Sequence, residues 1–326
     1  MSDTKTLNRE TRKYGEPGDV HVDAILSNIS IKYKNDDFIG LQIMPIVPVL
    51  KRSDKYYVYD RDQAFRIDDD TLGPKGMPNE IDMKQTTDNF SVVSHGLADW
   101  VPQEEIDNAD APLSPLSDAT MNLRDKLLLA HEKRIADQLQ TAANYPSGYK
   151  VQLSGTDQWS DYTNSDPLGD LLTAIEQTFT RANVVAMGLD TWNILRAHPK
   201  VLDAVKASTR QQSTPGGFAT PEEMITLLEI QTLLIGRARY NTTKRGQTGS
   251  YSRIWGKHCM AYYVEPMPGV RKASWGYTFS ENRGTTFTGF DGKRGEKGAT
   301  YVKDAWNEDS KIVGNILGYF IEDAVA

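Results

Sequence analysis

Five histidines, one cysteine and a few acidic or glycine-rich clusters are the residues here that could carry chemistry. His21, His95, His131, His198 and His258 never stand four apart, and no His-Glu-x-x-His occurs, so the helical zinc-protease spacing is missing. Each reads as a packing or surface residue. The single thiol, Cys259, excludes an intrachain disulfide and any multi-cysteine zinc or iron–sulfur site. In Lys257-His-Cys-Met-Ala-Tyr-Tyr263 it reads as a small buried apolar residue of a strand. No Gly-x-Ser-x-Gly elbow is present. Gly289-Phe-Asp-Gly-Lys293 and Gly292-Lys-Arg-Gly-Glu-Lys-Gly298 lack the Gly-Lys-Ser/Thr ending and the following helix of a phosphate loop, so they read as solvated loop. Asp68-Asp-Asp70 lacks the spaced ligands, central Gly and distal Glu of a calcium loop. Glu104, Glu105, Asp107 and Asp110 cluster before a long helix. Paired carboxylates can do acid–base work, but acids at a helix start equally complement its dipole. No catalytic, cofactor-binding or metal-binding residue is assigned, and the chain reads as a non-enzyme.

The elements must therefore carry the function. The 326 residues suit one large or two ordinary domains. The 44 acidic against 37 basic residues leave a net charge of −7, which favours solubility and opposes a dedicated nucleic-acid binder. No apolar stretch approaches the ~20 residues of a membrane span. The segment Met1-Ser-Asp-Thr-Lys-Thr-Leu-Asn-Arg-Glu10 has no apolar signal core, so folding in a cytosol is expected. The hydrophobic share, 39% by a count that includes Tyr, is modest, so a spread surface is expected rather than a minimal one.

Residues 1–20 are polar and aperiodic, with Lys5, Arg9, Arg12 and Lys13, and read as an extended arm that orders against a partner. Residues 20–34 are ambiguous between strand and short helix. Leu41-Gln-Ile-Met-Pro-Ile-Val-Pro-Val-Leu50 carries two prolines, which predicts an extended packed segment. Lys55-Tyr-Tyr-Val-Tyr59 and Asn89-Phe-Ser-Val-Val-Ser-His95 are β-rich. Midway lies Leu72-Gly-Pro-Lys-Gly-Met-Pro-Asn79, which predicts a long hairpin with its turn there. Such a hairpin is marginal alone in water, so it should lie on a neighbouring subunit.

Residues 116–145 contain no Gly or Pro. Met121, Leu128, Ile135 and Ala142 recur every seven, widened by Leu127 and Leu139, which predicts a helix of about 37 Å. The opposite face, with Arg124, Glu132, Lys133 and Asp137, is expected in solvent. Asp166-Pro167 caps a helix that should bury Leu168, Leu171, Leu172, Ile175 and Phe179 on one face. Asn183-Val-Val-Ala-Met-Gly188 reads as a short buried strand. Asp190 then caps one helix, a second starts at Pro199, and Thr220-Pro-Glu-Glu223 caps a third. Strands are expected at 233–240, 253–255, 260–265, 273–279, 300–306 and 311–321. Helices followed by strands, without regular βαβ alternation, indicate an α+β chain.

This order resembles the major capsid proteins of tailed double-stranded DNA bacteriophages, with the Hong-Kong-97-like fold. Pro45-Ile-Val-Pro-Val-Leu-Lys-Arg-Ser-Asp-Lys-Tyr-Tyr-Val-Tyr-Asp60 is similar to the lead-in to that family's extended loop. Asp62-Gln-Ala-Phe-Arg66 and Pro78-Asn-Glu-Ile-Asp82 resemble its arms. Ala98-Asp-Trp-Val-Pro-Gln-Glu-Glu-Ile-Asp-Asn-Ala-Asp-Ala-Pro-Leu113 is similar to the entry into its spine helix. Asn183–Gly188 with Trp192-Asn-Ile-Leu-Arg-Ala-His-Pro-Lys-Val-Leu202 resembles its axial lobe, and Lys311-Ile-Val-Gly-Asn-Ile-Leu-Gly-Tyr-Phe-Ile-Glu-Asp-Ala-Val325 its ending. The resemblance covers nearly the whole chain, by order rather than by one diagnostic motif.

It implies an arm and lead-in strand at 1–51 and an extended loop at 52–98. A peripheral domain with the spine helix (about 116–145) would take 99–180, a mainly axial domain 181–270, and a returning β-rich segment 271–326. It implies hexamers and pentamers in a virion shell around double-stranded DNA, contacted non-specifically and assembled in the host bacterial cytoplasm without a membrane. Portal, scaffolding and decoration proteins are the implied partners, with no cofactor. Assembly would use the loop tip (Leu72, Gly73, Pro74, Lys75, Gly76, Met77, Pro78) and the arm (Arg9, Arg12, Lys13). The spine-helix core would be Met121, Leu128, Ile135 and Leu139. Some relatives crosslink a loop Lys to a distant Asn; Lys75 or Lys84 with Asn282, Asn307 or Asn315 would be the groups, and no phrase specifies a pair. An encapsulin-like compartment shell is one alternative. A soluble enzyme using Asp107, Asp110 and His131 is another.

Overall fold

The computed structural model describes residues 21–22, 38–59, 62, 65–72, 74, 76–81, 85–109, 114–208, 217–244, 246–269 and 272–326. In chain order come β1 (His21–Val22), a one-turn helix α1 (Gly40–Ile43), β2 (Ile46–Pro48), β3 (Ser53–Tyr59), β4 (Gln85–Ser91) and β5 (Val93–Pro102). Then follow α2 (Gln103–Asp107), α3 (Pro115–Leu139), β6 (Lys150–Gln152), α4 (Pro167–Gln177), β7 (Val184–Gly188) and α5 (Leu189–Leu195). Next are α6 (Pro199–Ser208), α7 (Pro221–Leu228), β8 (Thr232–Gly236), β9 (Arg239–Asn241), β10 (Tyr251–Arg253) and β11 (Cys259–Tyr262). The chain closes with β12 (Gly276–Asp291), β13 (Ala299–Ile312) and β14 (Gly318–Glu322). One sheet runs β1-β12-β13-β5, with β2 also on β12; a second runs β6-β14-β11-β7-β8.

The chain divides into two compact units. One takes residues 1–34, 96–126 and 284–306; the other takes 35–95, 127–283 and 307–326. In the first, β1 lies antiparallel on β12, His21 facing Thr288. Val101, Ala119, Leu123 and Val302 form its apolar cluster, flanked by Ile106 and Leu116. The glycine-rich stretch 292–298 is the turn between β12 and β13. Its Lys297 pairs with Asp107 at 3.5 Å.

In the second unit, the sheet is buried on both faces at β14, β11 and β7, and strand alternation sorts its side chains. Val185, Met187, Cys259, Ala261, Tyr319 and Ile321 pack with Leu171, Trp192, Val201 and Met224 of α4–α7. Val184, Ala186, Met260, Tyr262 and Phe320 pack with Ile135, Leu139, Trp255 and Trp275. Strands β7 and β8 are parallel, while β11 is antiparallel to β7 and β14. A Cβ on Gly236 would lie 2.0 Å from the Trp255 ring, so only glycine admits that indole. Thr220 and Glu223 form a capping box on α7.

Several expectations change. The long helix ends at Leu139, not near 145, because side chains take its last carbonyls: Tyr145 donates to Leu139 O at 2.7 Å and Asn144 to Gln138 O at 2.7 Å. Pro45 ends a helical turn instead of enforcing extension throughout 41–50. Asp190 lies inside the first turn of α5, whose N-cap is Gly188. Leu172 and Phe179 are exposed, and Ala174 completes the buried face of α4. The strands expected at 273–279 and 300–306 extend to 276–291 and 299–312 because each finds the other as a ladder partner.

The spine-helix core also differs. Ile135, Leu139 and Leu127 of the stripe are buried, but Met121 and Leu128 are only partly so, and Leu123 and Ala136 are buried in their place. Arg124 and Glu132, expected in solvent, are 7% and 1% exposed. Each has an internal partner that makes burial tolerable. Arg124 pairs with Asp304 at 3.3 Å and lies 4.7 Å from the Trp306 ring centre. The backbone bends to admit it at Gly284 (φ 77°), where a Cβ would sit 2.8 Å from the guanidinium.

Candidate assembly site

β3 and β4 pair antiparallel from Ser53↔Ser91 to Tyr59↔Gln85, so the predicted hairpin is present. One face of it is apolar at the root. Phe90 and Tyr56 stack on Phe279 with ring centroids 4.6 and 5.6 Å away. Charge fixes the same place. Tyr56 Oη donates to Asp88 Oδ2 at 2.6 Å, Lys311 Nζ to Asp88 Oδ1 at 2.8 Å, and Ser91 N to Asp309 Oδ2 at 3.0 Å. The Lys311 ammonium, then the Tyr56 hydroxyl, hold the Asp88 carboxyl down at about 2. Arg52 adds a 3.0 Å pair with Glu281.

Beyond Tyr59 and Gln85 the character reverses. Asn79 donates to Asp69 O at 2.7 Å and Asp69 Oδ1 accepts from Thr71 N, which ties the arms together. Leu72, Pro74, Gly76, Met77 and Pro78 are all exposed. Gly73, Lys75 and Lys84 lie outside the described residues, as do Arg9, Arg12 and Lys13. Ile67 is 98% and Met77 92% exposed, and Phe65, Leu72 and Ile81 are exposed too. Single exposed apolar residues are ordinary, but five within 17 residues make an unusual concentration of bare apolar surface. Phe65 makes an edge contact with Phe179 at 4.9 Å, itself largely exposed.

Upstream of the hairpin, a buried carboxylate meets the chain. Ile39 N and Trp255 Nε1 donate to Glu132 Oε1 at 2.9 and 2.7 Å, and Gly40 N donates to Oε2 at 2.8 Å. Burial pushes the Glu132 carboxyl up, and these three donors oppose that. Glu308 of β13 binds the neighbouring helix residues His131 and Arg134, both at 2.6 Å, and Arg283 at 3.3 Å. Neither cluster was legible as such: Glu132 lies 92 to 123 positions from its three donors, and Glu308 lies 174 and 177 positions from Arg134 and His131.

Each described candidate catalytic group is engaged by partners of its own. Asp107 is tied to Lys297 and accepts from Gln103. His131 is buried against Glu308, and Asp110 lies outside the described residues. Ser165 Oγ lies 3.1 Å from His198 Nε2, but His198 Nδ1 accepts from Lys200 N and Ser165 donates to Asp161 O. The ring proton therefore sits on Nε2 and points at Ser165, the opposite of a base accepting the hydroxyl proton. Among the described residues no group of three or more His, Cys, Asp or Glu is placed to hold a metal ion, and no helix is long and apolar enough to cross a membrane.

No family model matches the chain. It is 33% identical over 306 residues to the major capsid protein of Pseudomonas phage JBD67, covering 94% of this chain and 97% of that one. The fold superposes on a phage-related protein from Bordetella bronchiseptica RB50 with a TM-score of 0.72 and 25% identity, over 94% of this chain and 98% of that one. It also matches the capsid of cyanophage P-SCSP1u, with a TM-score of 0.56 at 9% identity over 86% of each. A long hairpin anchored at its root and bare at its tip, a long helix and a two-faced lobe thus occur with capsid-protein sequence along almost the full chain. The chain belongs to the phage major capsid proteins, structural proteins of the Hong-Kong-97-like fold that assemble into a multimeric shell.

Proposed function

We propose that this chain forms hexamers and pentamers that close into an icosahedral-type head around packaged double-stranded DNA, which it touches without sequence preference. The carrying observation is the hairpin whose root is locked by Phe279, Asp88 and Lys311 while its tip exposes Ile67, Leu72 and Met77. A subunit that spends anchoring groups on a bare apolar tip needs a second copy to cover it. The tip residues 72–78 and the arm residues Arg9, Arg12 and Lys13 make these contacts. Residues 181–270 form the lobe that converges at capsomer centres, and 99–180 the peripheral part. Portal, scaffolding and decoration proteins complete the head in the host cytoplasm. An encapsulin-like compartment with a protein cargo is disfavoured, because the relative that matches end to end is a phage capsid protein.

The test is electron cryo-microscopy and sedimentation of the expressed chain with its scaffolding and portal partners, and nuclease digestion of purified particles. Closed shells that protect DNA are expected. A chain that stays monomeric with those partners present overturns the shell reading; a shell protecting only protein favours the compartment.

A further inference from the structure

We propose that Glu132 is a positioning residue for assembly, fixing where the segment that feeds the hairpin leaves the spine helix. The proposal rests on the shell reading above. A buried carboxylate is a costly way to fill space, and an apolar side chain of that size would pack at lower cost. What the carboxylate adds is direction. Its two oxygens collect three N–H donors, from Ile39, Gly40 and Trp255, within 2.9 Å. All three donors are neutral. The neighbouring His131 and Arg134 are turned to Glu308 instead.

The fit is tight on the chain side as well. A Cβ at Gly40 would lie 2.7 Å from Glu132 Oε2 and 3.1 Å from Ile135 Cδ1, so the backbone can approach only as glycine. Downstream the same segment is held once more, where β2 lies parallel on β12 at Thr278–Ser280 and Thr278 N donates to Pro45 O at 3.0 Å. Two fixed points define a line, and β3 begins at Ser53, shortly after the second. Ile43 and Met44, buried in the core, hold the stretch between them; with Glu132 lost, these and the β2 contacts keep the hairpin's fold, while the polar hold on Ile39 and Gly40 that sets its aim is gone.

The test uses the full chain. Glu132→Gln keeps the volume but turns an amide NH2 toward an N–H donor. We expect the Ile39 and Gly40 amides to exchange with deuterium about tenfold or more faster, while amides of β7 and β11 keep their protection. The yield of closed shells should fall by a similar factor. Met224→Ala, which destabilises the lobe core elsewhere, should lower the unfolding midpoint yet leave shell geometry normal. If Glu132→Gln does not fold, Gly40→Ala and Trp255→Phe probe the same contact from the other side. Folded variants that keep the slow Ile39 and Gly40 exchange, or that build normal shells, overturn the inference while leaving the shell reading intact. A wild-type chain that never assembles overturns the shell reading instead, and the exchange measurement still reports whether Glu132 holds the segment.

Discussion

Glu308 shows how a charge can be afforded in this interior. Burial alone would raise its carboxyl, but His131, Arg283 and Arg134 bring it down to about 2. His131 moves the other way: burial pushes its ring below the ordinary 6.5, with Arg283 and Arg134 adding to that and Glu308 opposing. The signs order the acid response. The His131 contribution is complete above 6.5 and is lost as pH falls below it, where the unfolded chain takes up the proton more readily. The Glu308 contribution is complete above the ordinary 4.5 and disappears as pH falls toward 2. Urea midpoints measured against pH should therefore drop first just below 6.5, a step to which His95, His198 and His258, also lowered by burial, add in the same direction, and His131→Gln should reduce that step without removing it. Glu308→Ala strands two guanidinium groups and should cost about 3–5 kcal/mol in equilibrium unfolding at neutral pH.

At the scale of elements, the spine helix separates pattern from burial. Its buried positions are Ala119, Thr120, Leu123, Arg124, Leu127, His131, Glu132, Ile135, Ala136 and Leu139. Four of the ten are polar, so an apolar count selected Met121 and Leu128 instead. Ile135 is fully buried, while Leu128 is only partly so. Ile135→Ala should therefore cost about 2–5 kcal/mol, and Leu128→Ala distinctly less, in denaturant unfolding of the unassembled subunit. Equal costs would restore the seven-residue reading. The hairpin is the opposite case. Its paired strands are legible because β-forming Tyr, Val and Phe cluster on either side of a Gly-Pro centre.

For the whole molecule, each compact unit gathers three separate stretches of chain. Stability and assembly are separable there, because the tip of the hairpin contributes little to any core. Deleting residues 66–81, which leaves the Tyr59↔Gln85 pair intact, should give a subunit that unfolds like wild type but builds no stable shell. Calorimetry and sedimentation read the two halves of that expectation. Normal shells from the deletion would remove the tip from the assembly surface.

Composition, periodicity and turn chemistry by themselves determined the mixed architecture, the long helix, the hairpin with its bare tip, the buried strand at 184–188 and the Thr220 cap. All of these depend on neighbours within one or two turns of chain. The tertiary structure alone decided which charges are inside. Arg124, His131, Glu132, Asp304 and Glu308 look like solvated residues in sequence. A charge is buried or exposed according to whether a partner arrives to meet it. For Glu132 those partners are the backbone of Ile39 and Gly40, more than 90 residues upstream, and an indole 123 residues downstream. Backbone donors leave no residue type behind to be read.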